Sequence, residues 1–81
     1  MVYLTWNSTG SVDALADGPW ESFAAGPGLV VIASEQSRSR VYHRLKDLLP
    51  PGSSLLVAPI DVAPKFKGLE PGLGDWLRQQ L

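Results

Sequence analysis

Cysteine is absent from this chain of 81 residues, which excludes a disulfide framework, a thiolate zinc site and a cysteine nucleophile. Histidine occurs once, as His43, so a serine-histidine-acid arrangement has only that base, and a tetrahedral zinc site lacks its usual donors. Long apolar runs are also missing. The longest, Leu29 to Ala33, falls far short of the roughly 20 residues a membrane helix needs. Met1 is not followed by a basic stretch and an apolar signal segment. These absences predict a cytoplasmic chain, in a reducing compartment, that neither crosses a membrane nor carries a cofactor.

What is present argues for folding. Hydrophobic residues make up 44% of the chain and three are tryptophan, more apolar surface than a disordered segment carries. The length allows one domain over residues 1–81, in which roughly 60% of the unfolded surface is buried. The net charge of −1 provides no overall attraction to nucleic acid. The charges are unevenly spread, however: four of the seven Lys and Arg residues are Arg38, Arg40, Arg44 and Lys46, a single basic segment.

Val2 to Trp6 is β-branched and aromatic, ends at Asn7-Ser8-Thr9-Gly10, and reads as a first strand. Ser11 is placed to cap a short helix through Val12, Ala14, Leu15 and Ala16, with Asp13 in its first turn and Gly18-Pro19 as its stop. Trp20 to Ala25 and Leu29 to Ser34 flank Gly26-Pro27-Gly28 and predict a hairpin. Ser34 or Ser37 then caps the clearest helix, whose Val41, Leu45, Leu48 and Leu49 recur at helical spacing before Pro50-Pro51-Gly52. Ser54 to Ile60 reads as another strand, with Pro59 at a sheet edge because it has no amide hydrogen. Asp75 caps a last turn or two docked by Trp76, Leu77 and Leu81.

Strand, helix, strand, strand, helix, strand predicts an α+β fold, the ferredoxin-like β-α-β-β-α-β order. Its antiparallel sheet takes both helices on one face, here with a short C-terminal helical tail. The strand Leu29 to Ser34, the helix with Arg38, Val41, Leu45 and Leu49, and the strand Leu55-Leu56-Val57 carry a resemblance over residues 28–81. So does the tail with Phe66, Gly68, Leu69, Trp76, Leu77 and Leu81. In these features the chain resembles the small SinR-like proteins related to VapD and to the CRISPR-associated ferredoxin-fold endoribonucleases. The resemblance implies a homodimer and, for its active members, metal-dependent nuclease activity through an Asp directly after the first strand. At that position this chain has Asn7, a neutral and therefore poor ligand for a hard divalent cation.

His43 reads as a solvated surface residue beside Arg44 and Lys46. Asp13 and Asp17 stand four apart, a spacing that can place two carboxylates on one helical face for a metal ion, although a solvated pair is the simpler reading. Neither Gly26-Pro27-Gly28 nor Gly68 to Gly74 has phosphate-loop spacing, and both read as turns. Arg38, Arg40, Arg44 and Lys46 are the candidate anion or nucleic-acid residues, with Arg38 nearest the helix N-terminus, against a solvated face as the plain reading. Among the tryptophans, Trp20 is the candidate for an exposed subunit contact. The leading expectation is a non-catalytic interaction module that pairs with a second copy. A metal-dependent nuclease using Asp13 or Asp17, or a nucleic-acid-binding regulator, stands as the alternative.

Overall fold

The computed structural model describes residues 1–13, 15 and 18–81. The helix expected from Ser11 rests on Ala14, Ala16 and Asp17, which lie outside the described residues. The elements are β1 (Val2–Asn7), β2 (Glu21–Gly26), β3 (Leu29–Ala33), α1 (Arg38–Leu48), β4 (Leu55–Ile60) and α2 (Leu73–Gln80). One antiparallel sheet has the order β2-β3-β1-β4. Because β1 runs antiparallel to both β3 and β4, the connection through α1 joins two parallel strands across β1. Among the described residues this small α+β architecture, a four-stranded antiparallel sheet with two helices, is compatible with the ferredoxin-like class.

Side chains alternate along β1, so Tyr3 and Thr5 face one side and Val2, Leu4 and Trp6 the other. On the first side Tyr3, Val30 and Ile32 pack with Val41, Leu45 and Leu49 of α1 and its end. Leu15 is buried in the same cluster, with Val12 and Trp20 against it, so the β1–β2 connection crosses the sheet on the α1 side. The buried hydroxyls are bonded: Thr5 Oγ1 donates to Val30 O at 2.8 Å and Tyr3 Oη to Gln36 O at 2.6 Å. Ser37, and not Ser34, is the N-cap of α1, its Oγ accepting from Arg40 N at 3.3 Å.

The C-terminal helix covers the opposite face. Leu73 and Leu77 are buried against Val2, Ala25 and Val31, with Phe23, Leu69 and Trp76 around them. The Phe23 and Trp76 rings lie 6.3 Å apart in a tilted pair, a favourable aromatic geometry. Two expectations change here. Asp75 is not the cap but lies in the first turn, paired with Arg78; α2 starts at Leu73, after Gly72 at φ 96°, a conformation suited to glycine. Leu81 is exposed, and Leu73 supplies the docking expected of it.

Both sheet edges are open to view in the register. Asn7 N donates to Gly28 O and Ser8 N to Ser54 O, each at 3.0 Å, so even-numbered residues of β1 direct their backbone groups at β4. With Leu4 opposite Ala58 and Trp6 opposite Leu56, the groups of Leu55, Val57 and Pro59 point outward. Pro59 thus sits at an edge position where its missing N–H breaks no ladder bond. On the other edge, β2 carries a bulge between Ala24 and Gly26, and Ala25 O accepts from Glu70 N at 2.9 Å.

Candidate interaction surface

The end of β1 holds Asn7, the position at which the sequence resemblance led to the expectation of an Asp. Asn7 is 1% exposed, and its side chain is fully engaged. Nδ2 donates to Ser11 O at 2.8 Å and to Gly28 O at 3.4 Å, while Oδ1 accepts from Thr9 N at 3.1 Å and Thr9 Oγ1 at 2.5 Å. The residue ties the loop after β1 to the β2–β3 turn. Gly28 makes the close approach possible: at φ 69°, a Cβ there would lie 2.4 Å from Asn7 O. These bonds use the amide as both donor and acceptor, a pattern a carboxylate cannot reproduce.

The other predicted site residues scatter. Asp13 is exposed, and Asp17 lies outside the described residues; among the described residues no group of three His, Asp or Glu side chains is placed to hold a metal ion. Arg38, Arg40, Arg44 and Lys46 are all exposed. At about 100° per residue, Arg40 and Arg44 lie a turn apart on one flank of α1, and Arg38 and Lys46 lie with Tyr42 on the other. Asp47 falls on the flank of Arg40 and Arg44, so the quartet does not form one uninterrupted basic stripe. His43 points away from the core side of α1 and is exposed, its ring 5.3 Å from that of Tyr42 in an edge contact. No helix among the described residues is long and apolar enough to cross a membrane.

Trp20 proves to be half buried, packed on the α1-side core with Nε1 donating to Leu15 O at 2.9 Å. It borders an open cleft of mixed polarity at the start of β1 that also includes Val2, Glu21, Glu35, Gln36 and Gln80. The exposed tryptophan is Trp6 instead, at 43%. Its cross-strand partners are Leu29 on β3 and Leu56 on β4, and Leu56 is 51% exposed. Phe66, 43% exposed, lies on the same face: it borders a groove of 140 Å³ with Leu4, Leu29, Leu69, Leu73 and Leu77. Among the described residues, Lys65 is the one charged side chain on the groove.

These residues lie on the α2 side of the sheet, where α2 covers β2, β3 and the Val2 end of β1 and leaves the Trp6 and Leu56 end of β1 and β4 open. The exposed parts of Trp6, Leu56 and Phe66 amount to roughly 300 Å², the size of the largest apolar patch on a typical monomer, which is often a functional one. Sequence reasoning placed the exposed aromatic at Trp20 and passed over Trp6 and Leu56. The available signal was phase: Trp6 alternates with Val2 and Leu4, as Leu56 does with Ala58 and Ile60. Both sides of the sheet are apolar, so phase alone does not say which residues α2 covers. Comparison with protein-family models, curated proteins and solved structures finds no match to this chain.

Proposed function

We propose that this protein is a non-catalytic interaction module that works as a homodimer, joined through the open half of its sheet. The observation that carries this reading is the exposure of Trp6, Leu56 and Phe66 on one face, Trp6 opposite Leu56 and Phe66 on the groove lined by Leu4 and Leu29. A large aromatic at the centre of an apolar patch is the composition of an interface core. A second copy is the occupant because a two-fold contact sets the patch against itself, apolar on apolar, and a net charge of −1 opposes this little. The finer fold reading follows the same line: the strand order β2-β3-β1-β4 supports a ferredoxin-like arrangement, with the β1–β2 crossover and α1 on one face. The resemblance to SinR-like proteins belongs to that reading as well.

A nuclease role has less behind it, since the amide of Asn7 is committed to loop bonds. Nucleic-acid binding through Arg38, Arg40, Arg44 and Lys46 is weakened by their division between two flanks of α1. Light scattering tests the module. The parent is expected at twice the protomer mass at high concentration, and Leu56→Asp, which puts a charge into the patch on an exposed strand position, is expected at the protomer mass with an unchanged circular dichroism spectrum. A parent that stays at protomer mass at all concentrations, or a Leu56→Asp variant that dimerises like the parent, overturns the reading.

A further inference from the structure

The two edges of the sheet are finished differently. The β2 edge carries Glu21 and Ser22, is bulged between Ala24 and Gly26, and has Ala25 O taken by Glu70 N at 2.9 Å. A charged residue, a bulge and a covering segment are the usual ways of closing an edge to other strands. β4 has none of them over residues 55–58. Its sequence, Leu-Leu-Val-Ala-Pro-Ile, holds no polar or charged side chain, and none of these residues is fully buried. The register turns the N–H and C=O of both Leu55 and Val57 outward, and among the described residues no backbone group bonds to them on that side. Only Pro59 interrupts the row, so the open stretch is short.

We propose that the outer edge of β4 receives a short extended peptide segment of another protein, which adds to the sheet as a strand antiparallel to β4. An extended backbone is the occupant because its N–H and C=O groups recur at the same two-residue spacing as those of Leu55 and Val57. Segment residues opposite Leu55 and Val57 exchange both main-chain bonds with them. Their side chains turn to the α1 side, where Leu55 and Val57 themselves pack. There Tyr42, Lys46 and Leu55 border a groove of 360 Å³ with Pro50 and Ser53, and the ammonium of Lys46 favours a carboxylate on the residue opposite Leu55. Asp47 also borders this groove, from the other flank of α1. Segment residues opposite Leu56 and Ala58 turn to the open face, where Leu56 is 51% exposed, and are therefore apolar. Pro59 limits the segment to about five residues, because beyond it the ladder lacks a donor. The site goes beyond the homodimer reading and does not depend on it.

The probe is the blocked peptide acetyl-Thr-Val-Thr-Val-Glu-amide, titrated to about 1 mM into the parent chain labelled with nitrogen-15. Antiparallel pairing sets its central Thr opposite Val57, its second Val opposite Leu56 and its Glu opposite Leu55, beside Lys46. Hydrogen exchange at the amides of Leu55 and Val57 is expected to slow at least about tenfold with bound peptide. The amides of Leu56 and Ala58, already bonded to β1, are expected to keep their rates. Two methylated peptides test the phase of the ladder. A methyl on the central Thr nitrogen removes a bond to Val57 O and is expected to weaken binding at least about tenfold. A methyl on the second Val nitrogen, which faces away from β4, is expected to change it less than about twofold. Replacing the Glu by Lys is expected to weaken binding about threefold, the size of an exposed ion pair.

A peptide that leaves every amide unchanged at about 1 mM overturns the site. So do changes confined to α1, which would reduce the contact to charge on the helix, and so does equal weakening by the two methyl groups, which would remove the ladder. Slowed exchange at Leu55 and Val57 that grows with protein concentration in the absence of peptide also overturns it, since a second copy's β4 would then fill the edge. The two proposals fail separately. A parent at protomer mass that binds the peptide overturns the homodimer and supports the edge site; a dimer that ignores the peptide does the reverse.

Discussion

Asn7 shows how a single side chain can decide which chemistry a position is free to perform. A buried amide offers both donors and acceptors, and here both are used: Nδ2 toward the carbonyls of Ser11 and Gly28, Oδ1 toward Thr9. Asn7→Asp, the change that would install the carboxylate the resemblance leads one to expect there, replaces the two N–H donors of Nδ2 by one oxygen facing two carbonyl oxygens. Loss of these bonds with burial of an unpaired charge is expected to cost at least about 3 kcal/mol at neutral pH. The sign of its pH dependence follows. Repulsion and burial raise the new carboxyl's pKa in the folded state above its unfolded value, so the native state holds the proton more tightly and stability falls as pH rises. Urea unfolding of parent and variant side by side should show the deficit shrinking as pH is lowered through the carboxylate range. A variant equal to the parent at neutral pH would mean that the loop does not depend on the amide, and would reopen the position to a metal ligand.

At the level of elements, the four strands and the middle helix were legible because each apolar run ends at residues that cannot continue it, whereas the helix expected between the first two strands falls outside the described residues. Gly26-Pro27-Gly28 closes one strand and opens the next, Ser37 caps α1, and Pro50-Pro51-Gly52 ends it. What was not legible is which face each element covers. The terminal segment reads as a docking tail from Trp76 and Leu77, but its side of the sheet depends on packing with Val2, Ala25 and Val31, residues far off in the chain. Its true start was hidden by Gly72, whose positive φ turns the chain into the helix without a side-chain cap. Trp6 was missed for the same reason, since exposure at the end of a strand depends on how far α2 reaches. Pro59 was placed at an edge, and the register sharpens its role: it occupies an outward-facing position of β4, where its ring breaks the row of free donors through which edges pair. Pro59→Thr restores an outward N–H without touching the β1 ladder, so stability should stay within about 0.5 kcal/mol of the parent. Association should instead rise, seen as species larger than a dimer by light scattering at high concentration. If Pro59→Thr unfolds the protein or leaves its association unchanged, the edge-guard role is wrong.

For the molecule as a whole, small size and an open sheet half have a common consequence. A chain of 81 residues leaves about 40% of its unfolded surface in water even when folded, and here part of that remainder is Trp6, Leu56 and Phe66. A net charge of −1 provides little repulsion to keep copies apart. Pairing as proposed would then add to stability by mass action, because a second copy would bind the folded state and not the unfolded one. Above the dissociation constant, a tenfold rise in concentration is worth about 1.4 kcal/mol per dimer, half of that for each protomer. In a domain of this size this raises the melting temperature by roughly 3–5 °C. Melting curves of the parent at tenfold concentration steps should climb by that amount, whereas Leu56→Asp should melt at one temperature throughout, close to that of the dilute parent. The two curves meeting at low concentration is the essential feature, since it separates lost pairing from damage to the protomer. A parent whose melting temperature ignores concentration, while its mass stays that of one protomer, would leave the open half of the sheet without a second copy to cover it.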